Sequence, residues 1–517
     1  MKYLMAIDAG TGSIRAVIFD TNGKEISFAQ KEWEHKAQKD IANSMNFDFK
    51  KNWELVKWCI DKSIKKANIN PKDILSLSAT SMREGIILYD KNGKEIWGVA
   101  NVDARASKQV KELKTKYKGI EQKFYNISGQ TFALGAIPRI LWLKQNNKEL
   151  YKKVATISMI GDWILAKLSS KIVVDPSNAG TTGIFNLKTR DWETSMMDEV
   201  GLNSNIFPPC LETGTVISKV VNKETLLNSN TLVVAGGGDV QLGSAGLGVV
   251  EKNQVAILGG SFWQQVVNIP NDTKLPKDMN IRVNPHVIKG LSQAEGITFF
   301  SGLVLRWFRD VFCELEQLEA KNKNCDVYTI LENKAKDIKA GSNGIMPIFS
   351  DDMKYGKWYH ASPSFINLNI DKDICNKYTM FKSLQENACI VSNINLKKIK
   401  KFSKVSFDTI VFASGASKGA LWCQTLADVT NCKIVVPKVK EATALGAAMS
   451  AGVGACIFKD IKEAVDKVVV FEKEYIPNKK NYTIYKNITK KWKKIYKEQL
   501  KLVDNNLTTS MWKAPGI

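Results

Sequence analysis

The chain is 517 residues long, 44% hydrophobic and 24% charged, a globular composition that excludes a mostly disordered polymer and accommodates about two to four domains. No apolar run approaches the roughly 18 residues of a membrane span, and Asp8 interrupts the N-terminal apolar stretch before it could serve as a signal-peptide core. The net charge of +22 raises nucleic acid as a partner, but only eight of the 74 basic residues are Arg, so the preferred reading is a Lys-rich solvated surface that draws in an anionic nucleotide, with no nucleic-acid partner.

Tyr3–Ile7, Ile14–Phe19 and Glu25–Glu34 predict three strands, with Asn22-Gly23 as the hairpin turn between the last two. The first two are joined by Asp8-Ala9-Gly10-Thr11-Gly12-Ser13. Gly10 and Gly12 let the backbone bend tightly and bring N–H groups toward a phosphate, Thr11 and Ser13 add hydroxyls, and Arg15 adds a cation. Asp8, at the strand end, is a candidate ligand of hydrated Mg²⁺. The segment is not a Walker loop, and taken alone it also reads as a plain glycine-rich hairpin. Asp48–Lys66 predicts an amphipathic helix whose Phe49, Trp53, Val56, Ile60 and Ile64 form a core face.

Ser81-Met82-Arg83-Glu84-Gly85 follows the β-rich run Ile74–Ala79, and Arg83 and Glu84 can both hydrogen-bond a polyol. A second hairpin signal at Leu88–Gly93 precedes Asn101, Asp103 and Arg105. Arg15, Arg83 and Arg105 are three of the eight Arg, which suggests a need for the guanidinium fork; surface ion pairs are the alternative. The polar loop Asp175–Thr182 either walls a cleft or is a turn cluster.

Leu232–Ala235 runs into three glycines and then Asp239, which reads either as a general base for an attacking alcohol or as the N-cap of the following helix. Val255–Leu258, Gly259-Gly260-Ser261 and Phe262–Ile269 repeat the first strand–turn–strand plan about 250 residues on, which predicts two related domains facing a shared cleft. Asp408–Ala413, Ser414–Gly419 and Ala420–Asp428 form a strand, a small-residue turn and a helix, suited to a purine or ribose or simply a connecting turn. Glu441–Ala448 opens a helix of small residues that packs closely on a neighbour, and Lys490–Leu502 predicts a helix in a Lys-rich tail. None of the nine Cys forms a C-x-x-C pair, and His35, His286 and His360 show no zinc spacing; both point to reduced thiols in a cytoplasmic protein without a His-based metal site.

Together these motifs resemble those of the FGGY carbohydrate kinases. Asp8, Gly10, Thr11, Ser13 and Arg15 are similar to the first phosphate motif, with Gly12 in the same turn. Gly238-Asp239 resembles the catalytic-base motif, Leu258–Ser261 the second phosphate motif, Gly415–Asp428 with Gly419 the adenosine motif, and Ser301-Gly302 a further nucleotide-side turn. Arg83, Glu84 and Asp103 fall where the family places sugar contacts, and Gln241 is grouped with them. The resemblance implies an α/β fold of two actin-like (ribonuclease H-like) ATPase domains with an interdomain cleft. It implies a substrate and catalytic domain over 1–246, a nucleotide-binding domain over 250–460, and a tail over 461–517 that packs on the body. It also implies Asp239 as the base, ATP as phosphoryl donor, and Mg²⁺ held by Asp8 and Asp239 through water.

A closer resemblance, to a signal-processing branch of the family, runs through stretches that include Ala6–Asp20, Ser81–Ile86, Gly236–Gly243, Arg282–Val287, Trp358–Leu368 and Leu507–Gly516. It implies phosphorylation of the 5-hydroxyl of ring-opened autoinducer-2 (4,5-dihydroxy-2,3-pentanedione) in the cytoplasm, a role in quorum sensing, and a contact with the phosphocarrier protein of the sugar phosphotransferase system. Two alternatives stay open: a kinase of a pentulose or another polyol, and a non-catalytic actin-like ATP-binding regulator. The chain departs from the family pattern at Gly260 (commonly Thr), at Ser414 (commonly Gly), at Val240 (Gln in glycerol kinases) and at Phe349–Asp352.

Overall fold

The computed structural model describes residues 1–351, 354 and 359–512; Asp352, Trp358 and the end of the Leu507–Gly516 stretch lie outside the described residues. The strand Tyr3–Ala9 is apolar and buried on both faces from Leu4 onward, the pattern of a central strand. Ser13–Asp20 pairs antiparallel with it, and Glu25–Glu32 antiparallel with Ser13–Asp20. Asp20 closes the hairpin between the last two, its Oδ1 accepting from the N–H of Asn22 and of Lys24, with Gly23 at φ +79°. Ile74–Ser81 lies parallel beside Tyr3–Ala9, Leu232–Gly238 parallel beside Ile74–Ser81, and Val216–Lys219 completes the six-stranded sheet antiparallel at the edge.

The second sheet repeats this plan. Val255–Gly259 is its central strand, Trp263–Pro270 and Leu291–Thr298 follow antiparallel on one side, and Thr409–Ala413 and Lys433–Pro437 lie parallel on the other. Arg282–Pro285 and Phe471–Tyr475 extend its two edges to seven strands. The strand–turn–strand repeat read in the sequence is thus the core of two α/β units built alike. A small three-stranded sheet, Glu95–Val99, Ile86–Tyr89 and Thr156–Met159, packs with helices Ser107–Lys116, Ile120–Ser128 and Ala136–Asn146 as an insertion in the first unit.

Register decides where function can sit. Ala9 pairs with Ser81, and Ser81 with Gly238, so three strand ends lie side by side at one sheet edge. That edge carries the Gly10–Ser13 turn, Arg83-Glu84 and Asp239. In the second sheet Leu258 pairs with Ala413, which sets the Gly259–Ser261 turn beside Ser414–Lys418. Ligands of open α/β sheets bind at such carboxyl ends.

The helix Ala442–Gly454, although it follows strands of the second sheet, packs on the first sheet. Ser450 Oγ donates to Ala235 O and Ser76 Oγ to Ala451 O, both at 2.7 Å. It crosses Asp239–Gly246 at backbone contact, because a side chain at Gly246 would overlap Ala442 O and one at Gly446 would overlap Leu242 O. The expected tail helix spans Lys479–Asp504 and buries Tyr485, Trp492, Tyr496 and Leu500 against the second core. Among the described residues no helix is long and apolar enough to cross a membrane.

Candidate active site

The first glycine turn is pinned from behind. Trp33 Nε1 donates to Gly10 O at 2.9 Å, Trp33 N to Gly12 O at 3.2 Å, and a His35 ring nitrogen lies 2.9 Å from Thr11 O. These bonds fix the peptide planes of the turn, while Thr11 and Gly12 stay exposed at its tip. A Cβ placed on Gly12 would meet nothing within 4 Å, so the space above it is open to a ligand. Arg15 Nε stands 3.0 Å from Asp8 Oδ2, and its Nη1 binds Glu441, at the start of the helix Ala442–Gly454. Burial raises the pKa of Asp8, against the opposing charge of Arg15.

Asp239 opens its helix but does not cap it. The N-cap is Gly238, and Asp239 Oδ1 accepts from the adjacent Val240 N–H at 2.8 Å. The carboxylate therefore sits in the first turn, where the helix dipole favours it, and remains about a third exposed at 36%. Arg83 Nε lies 3.4 Å from Asp239 Oδ1. Burial pushes the Asp239 carboxyl up to about 7; Arg83 opposes the rise, and the negative Glu84 and Asp8 add to it. The turn before it is held by Ser177, whose hydroxyl accepts from Gly238 N–H at 2.9 Å and donates to Asp175. Asp175–Thr182 forms a short helix, Pro176–Gly180, capped by Asp175, and its Ser177 and Thr181 hydroxyls reach Gly238 N–H and Glu84 N–H.

Glu84 is held at φ +65°, a left-handed conformation costly for a non-glycine residue and common at functional turns. Its N–H donates to Thr181 Oγ1, and its carboxylate pairs with Arg282 at 2.5 Å. Burial works to raise the Glu84 pKa, but Arg282 and Arg83 outweigh it and hold the carboxyl below its ordinary value. Arg83 in turn pairs with Glu295, and Arg139 ties Glu84 O, Asn101 O and Asp103 O together. Burial works to lower the Arg83 pKa; Glu295, Glu84 and Asp239 overcome it and raise the pKa, so the guanidinium stays charged.

Two expected substrate contacts are enclosed and engaged by protein partners. Asp103 is enclosed; its carboxylate accepts from Arg105 Nε at 2.8 Å and from Met45 N–H at 2.6 Å, so it holds a loop. Gln241 is completely buried and donates to Gln293 and Glu295, so it stands behind Arg83. Sequence reasoning missed Arg139, Arg282, Glu295 and Glu441. The scarcity of Arg was a usable signal for the first two; the two Glu carried none.

The second glycine turn lines a separate cavity of about 600 Å³, within the ordinary range for a small-ligand site. Gly259, Gly260, Ser261, Gly302, Gly415 and Gly419 all meet there, joined by Arg306, Arg309, Tyr328 and Trp422. Gly302 N–H donates to Ser261 O at 3.1 Å, and a Cβ on Gly302 would overlap Gly260 O, so only glycine lets the two turns touch. Glu332 accepts from Leu421 and Trp422 N–H at the helix start beside Gly419. The residues present fit a purine nucleotide: a Cβ placed on Gly415 would meet nothing within 4 Å, and Arg306 and Arg309 line the cavity, the latter paired with Asp310. Among the described residues no cluster of three or more His, Cys, Asp or Glu could hold a metal ion. Asp8 and Asp239 remain as two carboxylates close enough to influence each other, a donor set that suits Mg²⁺, which binds one or two carboxylates and keeps its waters.

Comparison with known proteins adds the following. Residues 3–246 match the model of the N-terminal domain of the FGGY family of carbohydrate kinases, and residues 267–455 that of its C-terminal domain. Proteins named autoinducer-2 kinase are 52% identical, from Enterobacter sp. (strain 638) over 521 aligned residues and from Salmonella typhimurium over 519, each covering 100% of this chain and 98% of the relative. Among solved structures, a ligand-bound xylulose kinase from Lactobacillus acidophilus superposes with a TM-score of 0.84 at 21% identity, covering 96% of this chain and 98% of that one. A Plasmodium falciparum glycerol kinase with ADP gives 0.82 at 20% identity, covering 97% and 98%.

Proposed function

The chain belongs to the FGGY family of carbohydrate kinases, and we propose that it transfers the γ-phosphoryl group of ATP to the 5-hydroxyl of ring-opened autoinducer-2, 4,5-dihydroxy-2,3-pentanedione. One observation carries the choice of substrate: identity to autoinducer-2 kinases holds at 52% from end to end, whereas the xylulose and glycerol kinases that share the fold stand at 21% and 20%. The first unit, to about residue 246, carries the alcohol and the base; the segment 250–460 carries the nucleotide; and 461–517 buttresses the second unit. The nine free cysteines suit the reducing cytoplasm in which phosphorylation would retain the signal.

In this reading the alcohol lies against Arg83, Glu84 and Asp239, and the purine occupies the cavity floored by Gly302 and Gly415–Gly419. The Asp239 carboxylate orients the hydroxyl and takes its proton as the oxygen forms its bond to the γ-phosphorus and the bond to ADP breaks. Backbone groups of Gly10–Ser13 and Gly259–Ser261 cradle phosphate oxygens. Asp8 and Asp239 would hold Mg²⁺ through water, where it neutralises charge developing on the phosphates. Arg83, kept charged by its three carboxylates, fixes Asp239 and donates to substrate oxygens.

ATP-dependent phosphorylation of the pentanedione, beside glycerol, ribulose and xylulose, tests the substrate, with product position read by phosphorus NMR. Phosphate on the 5-hydroxyl of the pentanedione is the expected result; preference for a pentulose would keep the mechanism and overturn the substrate. Asp239→Asn is expected to bind nucleotide nearly as before and to lose about 100-fold or more in turnover, the scale of general-base loss. Near-normal turnover would remove Asp239 from that role.

A further inference from the structure

The stretches Trp358–Leu368 and Leu507–Gly516 lie far apart in the chain, yet their described parts meet. His360 N–H donates to Trp512 O at 3.1 Å. The tail helix Lys479–Asp504 holds the same strip: Tyr359 OH binds Asp504, and Ala361 N–H donates to the Tyr496 hydroxyl at 3.3 Å. Tyr496 OH also binds Asp351 Oδ2, which lies 3.3 Å from His360 Nδ1, and Phe299 N–H donates to Asp351 O at 3.4 Å. The rings of His360 and Trp512 are thereby laid on Phe299. Trp512 stacks on it with centroids 5.3 Å apart and planes at 28°, and His360 stands 4.6 Å from Phe299 and 5.6 Å from Phe300. Phe262 closes the cluster, 5.7 Å from Phe299 and 5.4 Å from Phe300. Both ends of the cluster adjoin turns of the second cavity: Phe262 directly follows Ser261, and Phe300 directly precedes Ser301-Gly302.

We propose that Trp512 is a positioning residue for nucleotide binding: its ring braces the Phe299–Phe300 pair and, through Phe300 and Phe262, holds the Ser301-Gly302 and Gly259–Ser261 turns against each other. The proposal rests on the reading of this cavity as the nucleotide site.

The two turns need such a brace. Phe300 is held at φ +58°, a left-handed conformation that is costly for an aromatic residue and persists only where its surroundings impose it. It is also the N-cap of the helix Ser301–Phe312, and it makes no side-chain capping bond there. The helix start is set instead by backbone bonds, Val304 N–H to Phe300 O at 2.7 Å among them, so the placing of Ser301-Gly302 follows the placing of Phe300. The tolerance is small. Gly302 N–H donates to Ser261 O at 3.1 Å, and a Cβ on Gly302 would stand 2.3 Å from Gly260 O, so a small shift of one turn opens or closes the contact with the other. Phe262 is 41% exposed, so its own burial does little to fix the second turn. Aromatic pairs have preferred geometries, and a ring stacked on Phe299 therefore supplies direction as well as contact.

The test is Trp512→Ala in the full chain, with affinity for MgADP read by titration calorimetry. Loss of the ring is expected to weaken MgADP about three- to tenfold and to raise the KM for ATP by a similar factor. Both kcat and the KM for the alcohol should stay within about twofold. Trp512→Phe keeps a ring on Phe299 and should hold MgADP affinity within about twofold of wild type. Phe299→Leu should weaken MgADP in the same way, and combined with Trp512→Ala it should cost less than the product of the two single effects. If Trp512→Ala is too unstable to assay, Trp512→Leu, which keeps apolar bulk without the ring, is expected to show the same selective loss. Unchanged MgADP affinity overturns the brace, as does a lowered Tm with both KM values unmoved, which is what a merely structural residue would give. Equal losses on nucleotide and alcohol overturn it too. Gly302→Ala is measured alongside. If it binds MgADP as wild type does, the nucleotide reading of the cavity fails and takes the brace with it; if it weakens MgADP while Trp512→Ala does not, the brace fails alone.

Discussion

With Asp239 as the proposed base, its carboxyl, pushed up to about 7 by burial against the attraction of Arg83, should make turnover sensitive to pH in the physiological range. A base must be ionised to accept the hydroxyl proton. With a pKa of about 7 the ionised fraction is about 0.9 at pH 8 and about 0.1 at pH 6. The parameter kcat/KM for the alcohol should therefore fall about tenfold between those values, with unit slope below the bend. An ordinary aspartate, near 3.9, would show no change over this range. The neighbours give the signs of two controls. Arg83 lowers the Asp239 pKa and Glu84 raises it, so Arg83→Gln should move the bend up and Glu84→Gln should move it down. The assay is direct measurement of ADP released in initial-rate experiments at fixed ionic strength, with MgATP and the alcohol both well below their KM, so that the titration of the free enzyme is read. A flat profile from pH 6 to 8 would refute the reasoning, as would controls that shift the bend in the opposite senses.

Other measurements follow from the same structure. His286 is fully buried, and its pKa is lowered to about 3 by burial and then by Arg190. Its unfolded value is near 6.5, so the neutral ring favours the fold above that pH, and about 2 kcal/mol should be lost by pH 5, read as a drop in the urea midpoint that His286→Gln reduces. Ser414 stands at φ +77° and ψ −165°, a region essentially reserved for glycine, so Ser414→Gly should stabilise the chain by about 1 kcal/mol in urea unfolding; a destabilised variant would refute the strain. Gly302→Ala forces a methyl into Gly260 O, and should raise the KM for ATP about tenfold or more while leaving the KM for the alcohol nearly unchanged. Equal losses on both substrates would mean that the two glycine turns do not serve the nucleotide alone.

The elements that carry the site were legible because their signals are local. The Asn22-Gly23 hairpin, the Gly10–Ser13 and Gly259–Ser261 turns and the run into Asp239 each announce a backbone event through residues adjacent in sequence. Repetition of one such unit was enough to foresee two alike sheets, and register then brought the expected phosphate and base residues to common edges. The surroundings of Asp103 and Gln241 were not legible, for the complementary reason. Their spacing from Arg105 and Asp239 is visible in the chain, but whether a carboxylate or amide faces a cleft or is taken up by Met45 N–H or Glu295 depends on packing that spacing does not encode. At Ser414 a side chain occupies a backbone conformation suited to glycine, at a cost in strain.

Arg and Glu differ sharply in what they reveal. In a chain with eight Arg, each one is a choice of the planar fork over an abundant alternative. Arg15, Arg83, Arg139 and Arg282 gather around Asp8, Glu84 and Asp239, and Arg306 and Arg309 line the cavity beside the second glycine turn. Arg190 grips Glu212 through two nitrogens and also binds His286 O, another link between the two halves of the sequence. Glu295 and Glu441 are drawn from 52 acidic residues and carry no such mark. Their roles exist only once the second unit folds against the first: Glu441 reaches Arg15 across 426 positions of sequence, and Glu295 reaches Arg83 across 212. Arg, which is scarce, and Glu, which is common, thus divide the site into a half that composition exposes and a half that only tertiary contact defines. The second half is the one that depends on the second unit packing against the first. Pairing of this kind keeps ionised groups enclosed only when every partner is present, so the constraint on Arg83 needs Glu295 of the second unit.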